Sequence, residues 1–242
     1  MPRHVPLSIG LPLVLAALAA FFPALLPAGY HAFADHSTVC GLHPFGDTVS
    51  NLGFLFAGIY VWSVARTPHE RLFAVALGLT CLGSWFYHLA PTDARLLVDR
   101  LPMAPAFAAM GAITLFSGQP RAALIFTAVF SALFTLAAVV ALTSGSQSFW
   151  VAAQVYVLLL VLAATRSPAL RWAARAAFLL YVGAKLCETY DHQVLALTGF
   201  ISGHTIKHLL AALAPILWFA LWRRTDDRAF GIQALSNLRQ LS

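Results

Sequence analysis

Residues 83–103 read GSWFYHLAPTDARLLVDRLPM, and the fold turns on how they are read. The left half is apolar apart from Ser84 and His88, the right half carries Asp93, Arg95, Asp99 and Arg100, and Pro91-Thr92-Asp93 between them is turn chemistry. The stretch is therefore read as the end of one membrane-spanning helix, a short loop, and the start of the next. That reading puts a serine, a histidine and an acid at one membrane boundary. Residues 202–213, SGHTIKHLLAAL, raise the same question with His204 and His208.

The composition supports a membrane chain. Of 242 residues 60% are hydrophobic and only 10% charged, whereas a soluble domain has roughly a quarter of its residues charged. The formal charge of +6 does not point to nucleic acid, because the arginines fall between apolar runs, where they set membrane orientation. The three cysteines, Cys40, Cys81 and Cys187, form no C-x-x-C pair. They read as small apolar residues rather than as a disulfide framework or a thiolate metal site.

A spanning helix needs about 20 mainly apolar residues. Eight such runs are present, near 8–28, 48–65, 71–89, 100–118, 121–142, 149–165, 171–190 and 203–222, separated by turn signals such as Thr67-Pro68, Gly118-Gln119-Pro120, Ser144-Gly145-Ser146 and Ser167-Pro168. The expected architecture is an all-α membrane protein with a seven-helix transmembrane core and one additional N-terminal helix. Residues 1–30 form that helix, retained rather than cleaved as a signal. Residues 31–225 form the membrane domain and 226–242 a cytoplasmic tail.

Eight spans put both termini on one side. Eleven arginines, from Arg3 and Arg66 through Arg166 to Arg228 and Arg239, fall on that side, against only Arg95 and Arg100 on the other. The positive-inside rule then makes the termini cytoplasmic. His88, the 29–47 loop, Asp99, Glu188, Asp191 and His204 fall on the outer side, which in a bacterial inner membrane is periplasmic.

Ser84 and His88, and again His204 and His208, are spaced i, i+4 and share a helix face, with Cβ atoms about 5–6 Å apart. Two histidines one turn apart can reach a single ion, as in H-E-x-x-H helices. His88 supplies a third ligand, which leaves one position open for water, the arrangement of a catalytic zinc site. Gly83 and Gly203 permit close helix approach. Asp99 is placed as general base toward that water. Ser84 orients the water or donates to the developing oxyanion.

Taken together, G-S-W-F-Y-H at 83–88, D-R-L-P-M at 99–103, S-G-H-T-I-K-H at 202–208 and D-T-V-S-N at 47–51 resemble the alkaline ceramidase family. More broadly the chain is similar to the membrane hydrolases that include adiponectin-type receptors. The resemblance covers about residues 35–222. It implies an intramembrane zinc amidase that cleaves ceramide-like lipids to a fatty acid and a sphingoid base. His88, His204 and His208 would hold the metal, and Asp99 and Ser84 would contact the water. Two departures stand out. Arg100 replaces a usual glutamate, and the acidic, tryptophan-containing segment that binds calcium in animal members is replaced by Ala34-Asp35-His36-Ser37-Thr38-Val39-Cys40. Calcium binding is accordingly in doubt. His31, His36 and His43 read as solvated loop residues, and Lys185 with Glu188 as an internal i, i+3 ion pair.

Two other classes compete. A haem-binding electron carrier would draw axial ligands from opposing helices, which an i, i+4 pair fits poorly. A transporter would show ligands near the bilayer midplane and a polar path to both faces. A non-catalytic receptor of the same fold would keep the histidines without turnover.

Overall fold

The computed structural model describes residues 5–116, 118–164 and 168–239; Arg3, Arg166 and Ser167 lie outside them. Every extended regular element among the described residues is a helix: α1 (Val5–Phe21), α2 (Phe45–Val49), α3 (Leu52–Val64), α4 (Pro68–Leu89), α5 (Asp93–Leu115), α6 (Pro120–Ser144), α7 (Ser148–Ala164), α8 (Pro168–Thr189), α9 (Asp191–Thr198) and α10 (Gly203–Arg239), with a long non-helical loop at 22–44. Each of the eight apolar runs becomes a helix; α2 and α9 are short additions. Among the described residues, α4, α5, α6 and the first part of α10, Gly203–Arg224, are long and apolar enough to cross a membrane, and α7 is a shorter apolar helix.

Local chemistry sets the boundaries. Thr67 caps α4 by accepting from the Glu70 backbone N–H, with Glu70 reaching back in a capping box and Pro68 in the first turn. Thr92 caps α5 by accepting from the Arg95 N–H. Gly145 and Gly199 close α6 and α9 in the left-handed conformation, at φ 70° and 77°.

One expectation is corrected by the Thr92 cap. The run read from about residue 100 starts its helix earlier, because α5 begins at Asp93 and carries Asp99 and Arg100 in its second turn. An apolar window starts this helix late, since its first turns are polar.

The packing brings α4 against α5, α10 against α8 and α3, α5 against α6, and α1 against α7. Small residues let the backbones close up: a Cβ at Gly58 would stand 2.7 Å from the Ala74 carbonyl, and one at Gly83 would stand 2.8 Å from that of Val98. Phe73, Leu77, Trp218 and Phe219 centre one core cluster, and Phe126, Phe134, Trp150 and Tyr156 another. Leu55, Phe56, Ile59 and Trp62 on α3, and Leu124, Ile125, Leu133 and Leu136 on α6, point outward and are exposed. Such continuous apolar faces suit lipid rather than water. At one end of the bundle a buried Arg223 pairs with Glu70 and donates to the Val64 carbonyl, joining α10 to α4 and α3. At the other end α4 finishes, α5 begins, and α10 begins beside α2 and α9. The histidines lie there.

Candidate metal centre

His88 lies in the last turn of α4, and His204 and His208 lie in the first turns of α10. All three are buried, and one ring nitrogen from each lies within 4.8 Å of the others. The ring centroids are 4.8 Å (His88–His204), 4.9 Å (His88–His208) and 4.7 Å (His204–His208) apart. Imidazoles bound at about 2.0–2.1 Å to one tetrahedral ion have ring centres about 5 Å apart. The triangle therefore fits a single metal ion.

Hydrogen bonds show which nitrogens are available. The Ser50 hydroxyl donates to the Asp47 carbonyl, so it can only accept from His208 Nδ1, 2.9 Å away. That fixes the proton on Nδ1 and leaves the Nε2 lone pair free, the usual way a ligating histidine is oriented. His204 Nε2 faces the Lys207 ammonium at 3.3 Å. An ammonium only donates, so Nε2 carries no proton; its lone pair accepts from Lys207 here, and an ion bound through it would replace that hydrogen bond. His88 Nδ1 is buried with no hydrogen-bond partner. Three imidazoles packed together with an unsatisfied ring nitrogen are costly without a cation to share.

Ser84 is buried one turn below His88 and faces the Asp99 side chain across the α4–α5 contact at Gly83. Asp99 is half-buried and stands outside the three-histidine group. The five residues singled out from the sequence are thus divided into a ligand triad and an adjoining serine–aspartate pair.

A roof of loop residues covers the triad. Phe33 packs against His204 and His88, with centroids 4.3 and 4.8 Å apart. Asp191 accepts from the His204 N–H at 2.7 Å and from the Ala34 N–H at 2.8 Å, tying the loop to the start of α10. Asp47 Oδ1 accepts from Ser202 and Thr205, each at 2.6 Å. Burial pushes the Asp47 carboxyl up to about 6. Asp35 accepts from the Asp47 and Ser37 N–H groups and the Ser37 hydroxyl. Burial would raise Asp35, but these bonds outweigh it and hold the carboxyl below its ordinary value.

His31 is not the solvated loop residue expected: Nδ1 lies 2.8 Å from the Tyr87 hydroxyl and Nε2 lies 3.1 Å from Asp93. His36 and His43 are exposed and stack on each other at 6.3 Å. Cys40 is exposed and Cys81 buried, and the three cysteines are free.

The Lys185–Glu188 pair is present at 2.7 Å, with a third member that pattern reading missed. Lys207 donates to the other Glu188 oxygen at 2.6 Å. Both lysines line a cavity of about 170 Å³ whose remaining wall includes Phe54, Met103, Phe107, Met110 and Trp218. The signal was in H-T-I-K-H: Lys207 is i+3 from His204 and so shares its face. No protein-family model matches this chain, and no curated protein matches it.

Proposed function

We propose that this chain is a zinc-dependent intramembrane amidase that hydrolyses ceramide-like N-acyl lipids to a fatty acid and a long-chain amine. The observation that carries the reading is the buried triangle of His88, His204 and His208, with Ser84 and Asp99 beside it and an apolar cavity reaching Lys207, its neighbour. Imidazole ligands with one open position suit zinc. The ion would polarise the amide carbonyl and lower the pKa of water.

The chain's own residues do the rest. Asp99 accepts a proton from the attacking water as its oxygen bonds to the acyl carbon. Ser84, held against Asp99, keeps that carboxylate aimed. As the C–N bond breaks, the proton returns from Asp99 to the leaving nitrogen, so one water is consumed and an acid and an amine are released. The aromatic and methionine walls take the acyl chain and exclude water from it.

Helices α3 to α8 and α10 serve as the seven-helix core in this reading, with α1 appended. In this reading the termini are cytoplasmic and the metal lies on the outer, periplasmic face, an orientation supported by the arginine distribution. A haem is disfavoured, since His204 and His208 sit on one helix rather than opposite each other. Fatty-acid release from ceramide by the protein in detergent, abolished by a chelator and restored by zinc, is the expected result. Release unaffected by chelation would rule the reading out.

A further inference from the structure

The Lys185–Glu188–Lys207 group is an unusual feature for an apolar bundle. Glu188 lies between the two ammonium groups, with one oxygen 2.7 Å from Lys185 and the other 2.6 Å from Lys207. Lys185 and Glu188, one turn apart on α8, already make a neutral pair. Lys207, from α10, is the surplus cation. Ionisable groups inside a membrane segment are costly and are kept for a purpose.

Position points to that purpose. The Lys207 ammonium is 3.3 Å from Nε2 of His204, one of the three histidines of the triad. It is therefore next to where a scissile amide would sit, and both lysines open onto the apolar cavity. Two ammonium groups of the cavity wall share the single carboxylate of Glu188, and Arg100 does not join them: it turns to another face of α5, over the Trp150 ring at 5.2 Å.

Resting on the amidase reading, we infer that Lys207, supported by Lys185, selects N-acyl lipids that carry an anion close to the amide, a carboxylate or a phosphate, over neutral ceramides. Lys207 is a specificity-determining residue in this role. A carboxylate or phosphate oxygen replaces the imidazole nitrogen as the partner of its free N–H groups, while Glu188 stays paired with Lys185. Neutral hydroxyls offer no such charge.

The test uses full-length protein in neutral detergent. Binding of N-lauroylglycine, N-lauroylethanolamine and laurate to the metal-stripped form is followed by tryptophan fluorescence, since Trp218 lines the cavity. Cleavage of the two amides is followed in the zinc-loaded form. N-lauroylglycine should bind and be cleaved at least about tenfold better than its neutral analogue, the size of one charge-assisted hydrogen bond. Lys207→Gln should abolish the difference, and Lys207→Arg should retain it. Equal binding of acid and neutral amides, or a preference that survives Lys207→Gln, would overturn the inference and leave the amidase reading intact. Tight laurate binding without preferential cleavage of the acidic amide would also overturn it, assigning Lys207 to the product acid. Acid-selective binding with no cleavage of either amide would instead sink the amidase reading and leave the anion site standing.

Discussion

Ser50 on the loop before α3 fixes the tautomer of His208: its oxygen lies 2.9 Å from His208 Nδ1 while its proton goes to the Asp47 carbonyl. A ligand held this way keeps its Nε2 lone pair directed inward. Removing such a partner typically costs 10–100-fold in metal affinity. Ser50→Ala should therefore weaken zinc binding by about that factor, read by competition with a chromogenic chelator. Unchanged affinity would mean that His208 needs no such support.

Ser84 stands one turn below His88, with Asp99 beside it and outside the ligand triad. Asp99→Asn should keep its metal and lose amide cleavage by about 10²–10⁴-fold, the range for a lost general base. Ser84→Ala should lose less. Metal content and turnover measured on the same preparation check this, and loss of metal from Asp99→Asn would make the aspartate a ligand.

Close backbone contact holds the site as much as the ligands do. A Cβ at Gly203 would stand 2.1 Å from the Cys187 carbonyl and 2.8 Å from the Asp191 Cα. Gly203→Ala must push α10 away from α8 and displace His204 beside it. The expected outcome is loss of metal with all three histidines intact, read by metal analysis of protein that still elutes as a folded species.

Asp47 provides a pH signature. Its carboxyl is raised by burial from 3.8 to about 6, and Oδ2 has no partner. A group raised in the folded state stabilises at low pH, and that contribution is lost as pH rises through the folded value. Asp47→Asn keeps the acceptor for Ser202 and Thr205 and removes the charge. In metal-free protein it should gain stability over the parent above about pH 6, with the gain shrinking toward pH 3.8. Thermal melts across that range check it; a constant difference would contradict it.

Much of this was legible in the sequence because helical spacing is local. His204 and His208 share a face by arithmetic, and His88 ends an apolar run. The supports were not legible, because they are long-range: Ser50 meets His208 across 158 residues, and Asp191 reaches back to Ala34 across 157. The start of α5 was misplaced because hydropathy sees lipid-facing residues, whereas the helix starts at its Thr92 cap within polar sequence. Lys207 was within reach by spacing, but its partner Glu188 lies on another helix, and only packing shows a single carboxylate serving two lysines.

Whether the three histidines hold a working metal is decided by one paired determination: zinc content of the purified protein together with fatty-acid release from ceramide and N-acyl lipids, for the native chain and His204→Ala. About one zinc per chain with amide cleavage, both lost in the variant, is the expected result. A native protein that cleaves these amides with no metal bound, or a variant that keeps both zinc and cleavage, would contradict the metal centre.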